Sequence, residues 1–173
     1  VPAVEVVKGD QTSEETLEVA YRLLSKIKKV PVKLNFELPG FLINRIQIAM
    51  VREVFDLYEK GVASAADIDK AVKGSFGFRL ASIGPLLTAD LGGLDTWLRV
   101  SENLLPKIQS SVEPPQALKR LVSQGHSGIK SGKGFYDYAG DFSKKELDGV
   151  IENRDREFLQ RLKTLYWGKE KKE

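Results

Sequence analysis

The stretch PGFLINRIQIAMVREVFDLYEK, residues 39–60, decides how this 173-residue chain folds. Its apolar residues cover most of the circumference of a helix, a pattern typical of helices that are packed on several sides. The predicted helix over residues 42–60 would be roughly 28 Å long at 1.5 Å per residue. We therefore expect a central helix that is surrounded by other helices or by a partner subunit.

The chain after this helix also has a helical pattern. Gly61 stands where a helix C-cap belongs, and Ser64 with Asp67 marks the start of the next helix. Further helices are predicted over residues 65–73, 86–91, 95–105, 117–124 and 143–167. Residues 38–173 are thus predicted to form an all-helical domain.

The chain before this helix has a different pattern. Residues 1–7 are rich in valine, Thr12 and Glu15 have the spacing of a capping box, and residues 30–37 alternate between apolar and polar side chains. The order is strand, helix, strand, which is too little to form a complete sheet. We expect residues 1–37 to be the last part of a larger α/β domain, so the predicted fold class is mainly α with a residual β-α-β piece.

Composition excludes several functions. The chain has no cysteine, which removes thiolate catalysis and cysteine-ligated metal sites, and we expect no bound metal. Its 27 basic residues are interleaved with 24 acidic ones, so we expect no nucleic-acid partner. No apolar run is long enough to span a membrane and no signal peptide is recognisable, which favours a cytoplasmic protein.

Glu5 is the first candidate functional residue. Valines flank this carboxylate, and such surroundings disfavour its charge unless a partner lies nearby. One interpretation is a solvent-facing residue on an edge strand. The alternative is a carboxylate that orients and stabilises a general base located elsewhere.

Asn44 and His126 are two further candidates. Asn44 lies in the first turn of the central helix, where it could cap the helix, bridge to a neighbouring domain or polarise a substrate. His126 is the single histidine of the chain and lies in a glycine-rich loop. No carboxylate is close to it in sequence, so a structural role is favoured over catalysis.

The glycine-rich stretch 128–136, GIKSGKGFY, invites comparison with a phosphate-binding loop. The spacing fails, because Ser127 stands where the first glycine should be and Gly134 follows Lys133 where Ser or Thr is required. The chain also contains no Gly-x-Gly-x-x-Gly dinucleotide fingerprint. The stretch is therefore either a flexible turn with solvated lysines or a loop whose ammonium reaches a cofactor.

Three segments together resemble the 3-hydroxyacyl-CoA dehydrogenase family: VEVV at 4–7, PGFLINR at 39–45 and KSGKGFY at 130–136. The resemblance extends to about residue 138. It implies an NAD-dependent oxidoreductase of fatty acid or butanoate metabolism that oxidises the C3 hydroxyl of an acyl-CoA. It also implies a helical domain that completes the substrate site and forms a homodimer.

The resemblance assigns roles to three residues. Glu5 matches the glutamate that pairs with the family's catalytic histidine, and Asn44 matches its active-site asparagine. Lys130 matches a lysine that contacts the cofactor in some members. The family's histidine precedes its glutamate, so we expect it upstream of Val1, in the domain that binds most of the NAD. We therefore expect the isolated chain to be inactive.

Two features indicate a particular branch of the family. The segment 79–83 is longer than in the mitochondrial-type enzymes, and a charged helix follows Tyr138. Both resemble the branch that includes gulonate dehydrogenase and lambda-crystallin. Oxidation of a free hydroxy acid or sugar acid is therefore an alternative activity, and a dimerisation module without chemistry is a third.

Overall fold

A computed structural model describes residues 1–138 and 144–167, with no account of the side chains of residues 144–147. The first elements are β1 (Ala3–Val7), α1 (Glu14–Lys26) and β2 (Val30–Leu34). The two strands pair in parallel, with Glu5 opposite Val32. Helix α1 packs on both strands, which gives the predicted β-α-β piece.

The remaining elements are helical, which confirms the predicted fold class. They are α2 (Phe41–Glu59), α3 (Ala65–Gly74), α4 (Phe76–Leu80), α5 (Pro85–Gly92), α6 (Leu94–Leu104), α7 (Gln116–Ser123), a 3₁₀ turn (Ile129–Ser131) and α8 (Lys144–Leu162), which continues as a π-helical turn (Lys163–Trp167). Helix α4 is the one that the sequence did not predict, because it has only five residues and Gly77 at its second position. Residue 143, the predicted first residue of the last helix, lies outside the described residues.

The described residues divide into two compact units. One contains Val1–Ile48 together with the segment from Asp148 onward, and the other contains Ala49–Leu147. The division falls inside α2, so this helix contributes residues to both units. The predicted domain boundary at residues 37 and 38 remains a prediction.

Helix starts and ends follow local hydrogen bonds. Ser64 caps α3 as predicted, since its Oγ accepts from the Asp67 amide at 3.1 Å. The predicted N-cap of α1 was Thr12, but the observed N-cap is Ser13, whose Oγ accepts from the Thr16 amide at 3.1 Å. Thr12 Oγ1 instead accepts from the Gly9 amide at 3.2 Å, in the turn before the helix.

The first half of α2 is not packed as expected. All residues from Leu42 to Met50 are exposed, and Ile46 and Ile48 keep 57% and 66% of their accessible surface. The described chain provides no cover for this part of the helix. Helices α5 and α6 carry a second exposed apolar surface, on which Leu86 and Leu91 are 82% and 72% exposed.

Candidate functional site

The carboxylate of Glu5 binds the start of α2. Its Oε1 accepts hydrogen bonds from the backbone amides of Leu42 at 2.7 Å and Ile43 at 3.0 Å. The first amides of a helix have no partner within the helix and carry its positive partial charge, so an anion is stabilised there. Glu5 is half-buried and faces α2, which rules out the interpretation of a solvent-facing residue on an edge strand.

The backbone just before these amides has an unusual conformation. Gly40 has φ +81° and Phe41 has φ +45°, so two consecutive residues are left-handed. The Phe41 amide donates to the Leu38 carbonyl at 2.9 Å, and the Arg45 guanidinium donates to the Pro39 carbonyl at 3.3 Å. These two hydrogen bonds stabilise the turn that leads into α2.

Asn44 lies next to the two amides that bind Glu5, on the exposed first half of α2. Its side-chain amide has no hydrogen-bond partner in the described part of the chain. The predicted capping role is therefore not observed, because Glu5 takes the amides that a cap would satisfy. Glu5 and Asn44 are both in the first of the two compact units.

Lys130 lies in the second unit, in a loop that contains several internal hydrogen bonds. Ser131 Oγ accepts from the Ser127 amide at 2.7 Å and lies 3.0 Å from the carbonyls of Gly128 and Lys133. A Cβ on Gly134 would come within 2.9 Å of the Gly128 backbone, so the close approach of the two segments requires glycine. Whether this stretch serves as a turn with solvated lysines or as a loop whose ammonium reaches a cofactor stays a prediction.

Two aromatic residues at the end of this loop fasten it to the helices. The Phe135 ring stacks on Phe55 at 5.2 Å and meets Tyr58 edge-on at 5.0 Å. The Tyr136 hydroxyl donates to Asp69 Oδ2 at 2.7 Å. Burial, followed by this hydrogen bond and the charge of Asp69, raises the pKa of Tyr136 to about 12.

A cavity of about 580 Å³ opens beside the loop. Its size lies in the range of small-molecule sites, and its lining is mainly apolar and aromatic. Lys130 and His126 both line it, and within residues 1–138 and 144–167 neither side chain has a hydrogen-bond or ion-pair partner. The cavity thus combines apolar walls with two nitrogen groups that are free to meet a polar or anionic ligand.

No sequence motif marks several residues that hold this loop, namely Asp69, Phe55 and Tyr58. Asp69, for example, binds a residue that lies 67 positions further along the chain. Among the described residues, no cluster of three or more His, Cys, Asp or Glu side chains could hold a metal. No helix in the described ranges is both long and apolar enough to cross a membrane.

Along the chain, a β-α-β piece is followed by helices, with a Pro-Gly-Phe turn before α2 and a Gly-Phe-Tyr loop after α7. Residues 40–138 match the family model described as the 3-hydroxyacyl-CoA dehydrogenase C-terminal domain, and residues 1–37 match its NAD binding domain. The chain therefore belongs to the 3-hydroxyacyl-CoA dehydrogenase family. The resemblance to the gulonate dehydrogenase and lambda-crystallin branch stays a prediction.

Individual relatives agree with this assignment. The chain is 39% identical over 136 residues to a probable 3-hydroxybutyryl-CoA dehydrogenase of Bacillus subtilis, covering 78% of this chain and 46% of that protein. It is 33% identical over 144 residues to the 5-formyl-3-hydroxy-2-methylpyridine 4-carboxylate 5-dehydrogenase of Mesorhizobium japonicum, covering 83% and 47%. The chain thus spans about half the length of these relatives.

A solved structure supports the same fold. The crystal structure of a 5-formyl-3-hydroxy-2-methylpyridine 4-carboxylic acid 5-dehydrogenase, described as an NAD⁺-dependent dismutase, matches 95% of this chain and 52% of its own, with a TM-score of 0.87 and 29% identity.

The raised pKa of Tyr136 predicts a pH-dependent stability. A free tyrosine titrates near pH 10 in an unfolded chain, and the folded protein favours the neutral phenol up to a pKa of about 12. The stabilisation is therefore complete below pH 10 and is lost as the pH rises toward 12. We expect the free energy of unfolding, measured with urea, to fall more steeply over this range in the wild type than in Tyr136→Phe. Equal slopes in the two proteins would contradict the prediction.

Proposed function

We propose that this chain is the C-terminal portion of an NAD-dependent 3-hydroxyacyl-CoA dehydrogenase, an oxidoreductase that acts on the C3 hydroxyl or ketone of an acyl-CoA. The observation that carries the proposal is the carboxylate of Glu5, held by the first amides of α2 in a chain that belongs to this family. Only one of its oxygens is used in this way. The other has no hydrogen-bond partner in the described ranges and is available to a base.

Each candidate residue has a role in this proposal. Glu5 orients and charge-stabilises the histidine that the family resemblance assigns to the NAD-binding half. Asn44 donates its side-chain amide to the carbonyl oxygen on which negative charge develops, which requires a free amide such as the one observed. Lys130 provides an unpaired ammonium that would contact the cofactor, and NAD, when bound, accepts the hydride from C3.

This chain supplies only some of the groups that the proposed activity requires. Its one histidine, His126, lies in the second unit, whereas Glu5 lies in the first. The sequence contains no Gly-x-Gly-x-x-Gly dinucleotide fingerprint. The chain thus contributes the group that assists a base and the group that polarises the substrate. A cytoplasmic location and the lack of a nucleic-acid partner remain predictions.

A second candidate function is oxidation of a small free carboxylic acid without CoA. It is favoured by the structural match, at a TM-score of 0.87, to a dehydrogenase named for an aromatic aldehyde that carries a carboxylate. It is also compatible with the apolar cavity that Lys130 and His126 line, because a carboxylate is the natural partner of an unpaired ammonium. Free hydroxy acids and sugar acids such as gulonate belong to the same alternative.

We also propose a homodimer formed through the helical part. Residues from α5 and α6 expose leucine side chains in succession, including Leu94 and Leu98 at 61% each. Contiguous apolar surfaces of this kind are typical of protein interfaces rather than of monomers. A dimerisation module that has no chemistry of its own would expose the same surface, so activity rather than assembly separates these two functions.

The roles of Glu5 and Asn44 predict a pattern of activities. The 173-residue chain alone should oxidise no 3-hydroxybutyryl-CoA, whereas its fusion to the NAD-binding half of the Bacillus subtilis relative should do so. In the fusion, Glu5→Gln should lower kcat by about 10²- to 10⁴-fold, because the base loses its charged partner. Asn44→Ala should lower kcat by about 10²-fold, as removal of an oxyanion donor does.

The control for these variants is Gln47→Ala, an exposed residue of the same helix that has no part in the proposal. It should leave kcat within about twofold, as is usual for surface substitutions. Full activity in Glu5→Gln, or turnover by the isolated chain, would refute the proposed roles. A dimerisation module predicts a fusion that is folded and inactive.

Substrate choice separates the two dehydrogenase candidates. We expect acetoacetyl-CoA to be reduced by the fusion with a higher kcat/KM than free acetoacetate, gulonate-derived keto acid or an aromatic aldehyde carboxylate. Loss of the CoA group should cost about 10²-fold or more, because remote binding energy is used in the transition state. A higher kcat/KM for a free acid than for acetoacetyl-CoA would contradict the first candidate function and favour the second.

The exposed leucines predict the effect of a surface charge on assembly. We expect the chain to be a dimer at tens of micromolar by light scattering, and Leu98→Glu to shift it toward monomer, because the new carboxylate would be buried at the interface. Val112→Glu is the matched control, since Val112 is 98% exposed and lies in the loop after α6. A monomeric wild type, or a dimer that Leu98→Glu leaves intact, would contradict this prediction.

A further inference from the structure

The Pro-Gly-Phe turn contains a backbone conformation that phenylalanine rarely adopts. Phe41 has φ +45°, and Lys28 is the other non-glycine residue with a positive φ in the described ranges. Lys28 lies in the exposed turn after α1, where a left-handed residue commonly ends a helix. Phe41 instead begins a helix, and for a bulky residue a positive φ is a genuine outlier. Such strain persists only where the surrounding structure enforces it.

The position of Phe41 links this strain to Glu5. Phe41 is the first residue of α2, and the next two amides are the ones that donate to Glu5 Oε1, at 2.7 and 3.0 Å. The direction of those N–H groups depends on the backbone torsions of the residue before them. Successive amides that follow left-handed residues form a concave donor surface that suits an anion. An extended or right-handed Phe41 would turn both donors away from the carboxylate.

The side chain of Phe41 explains how the strained turn is retained. Phe41 is half-buried, whereas the nine residues that follow it are all exposed. Glycine would adopt the same torsions without steric cost, but it would also leave them freely. Relaxation of the turn would move this partly buried ring, so its burial would disfavour that relaxation.

We propose that Phe41 is a positioning residue for Glu5. Its left-handed backbone aims the Leu42 and Ile43 amides at Oε1, which fixes the rotation of the carboxylate and leaves Oε2 facing the group that Glu5 serves. The identity of that group rests on the proposed function. The geometry at Glu5 itself does not depend on it.

The first test measures this geometry in the 173-residue chain by NMR. In the wild type, the Leu42 and Ile43 amides should exchange slowly with solvent, because both donate to Glu5 Oε1. Phe41→Ala keeps the unfavourable backbone without the ring, so both amides should exchange about tenfold faster or more. Phe41→Gly allows a positive φ at no cost and should retain more of the protection, and Phe41→Tyr should retain all of it.

Exchange of the α3 amides is the internal control, because that helix contains no contact with Glu5. Faster exchange of Leu42 and Ile43 with unchanged α3 amides supports the proposal. Wild-type exchange in Phe41→Ala would overturn it, as would equal losses in Phe41→Ala and Phe41→Gly. Should Phe41→Ala unfold, faster exchange of the Leu42 and Ile43 amides in Phe41→Tyr than in the wild type would overturn it as well.

The second test measures the functional consequence in the fusion with the NAD-binding half. A positioning role predicts that Phe41→Ala lowers kcat about tenfold and displaces the acid limb of the pH–rate profile in the same direction as Glu5→Gln. The KM for NAD should be unchanged. An altered KM with an unchanged profile would count against the proposal. If the wild-type fusion were inactive, the proposed function would fail while the NMR test still judged the role of Phe41.

Discussion

The bonds between one carboxylate oxygen of Glu5 and the first amides of α2 connect the β-α-β piece to the helical chain. A helix start needs acceptors for its free amides, and a carboxylate surrounded by valines needs donors for its charge. The carboxylate accepts hydrogen bonds from the free amides, and the amides stabilise its negative charge. Leu42 and Ile43 lie in the first turn of α2, so Glu5 satisfies two of the amides that this helix leaves free.

This interaction also explains why Asn44 is free. In most helices a polar side chain near the N-terminus accepts from the first amides. Here the acceptor is Glu5, which lies 37 residues before Leu42 in the sequence. The side-chain amide of Asn44 therefore has no hydrogen-bond partner in the described chain. Two groups with catalytic potential thus share one helix start, one of them fixed by hydrogen bonds and the other available to a substrate.

Sequence patterns predicted the elements well and the contacts less well. The apolar periodicity of residues 42–60, the glycine at position 61 and the pair Ser64–Asp67 depend on local geometry, and each has the structure that was predicted. The N-cap of α1 was not predicted correctly, because Thr12 and Ser13 are neighbours and both residue types cap helices. The partner of Glu5 could not be predicted, because it is a pair of backbone amides and no side-chain pattern marks it.

The contacts of the loop that contains Lys130 could not be predicted from the sequence either. Its glycine-rich sequence did not predict that Gly134 allows a close approach of two backbone segments or that Ser131 makes several hydrogen bonds. The Asp69 carboxylate that binds Tyr136 is 67 residues away. Tertiary contacts of this length are decided by packing, and a single sequence contains no direct record of them.

The exposed leucines of α5 and α6 have a consequence for stability. Short helices of 8 and 11 residues are marginal in water unless their apolar faces are buried. In the proposed homodimer a second molecule would supply that burial, and folding and association would become a single equilibrium. The melting temperature would then rise with protein concentration, and dilution alone would destabilise the folded chain.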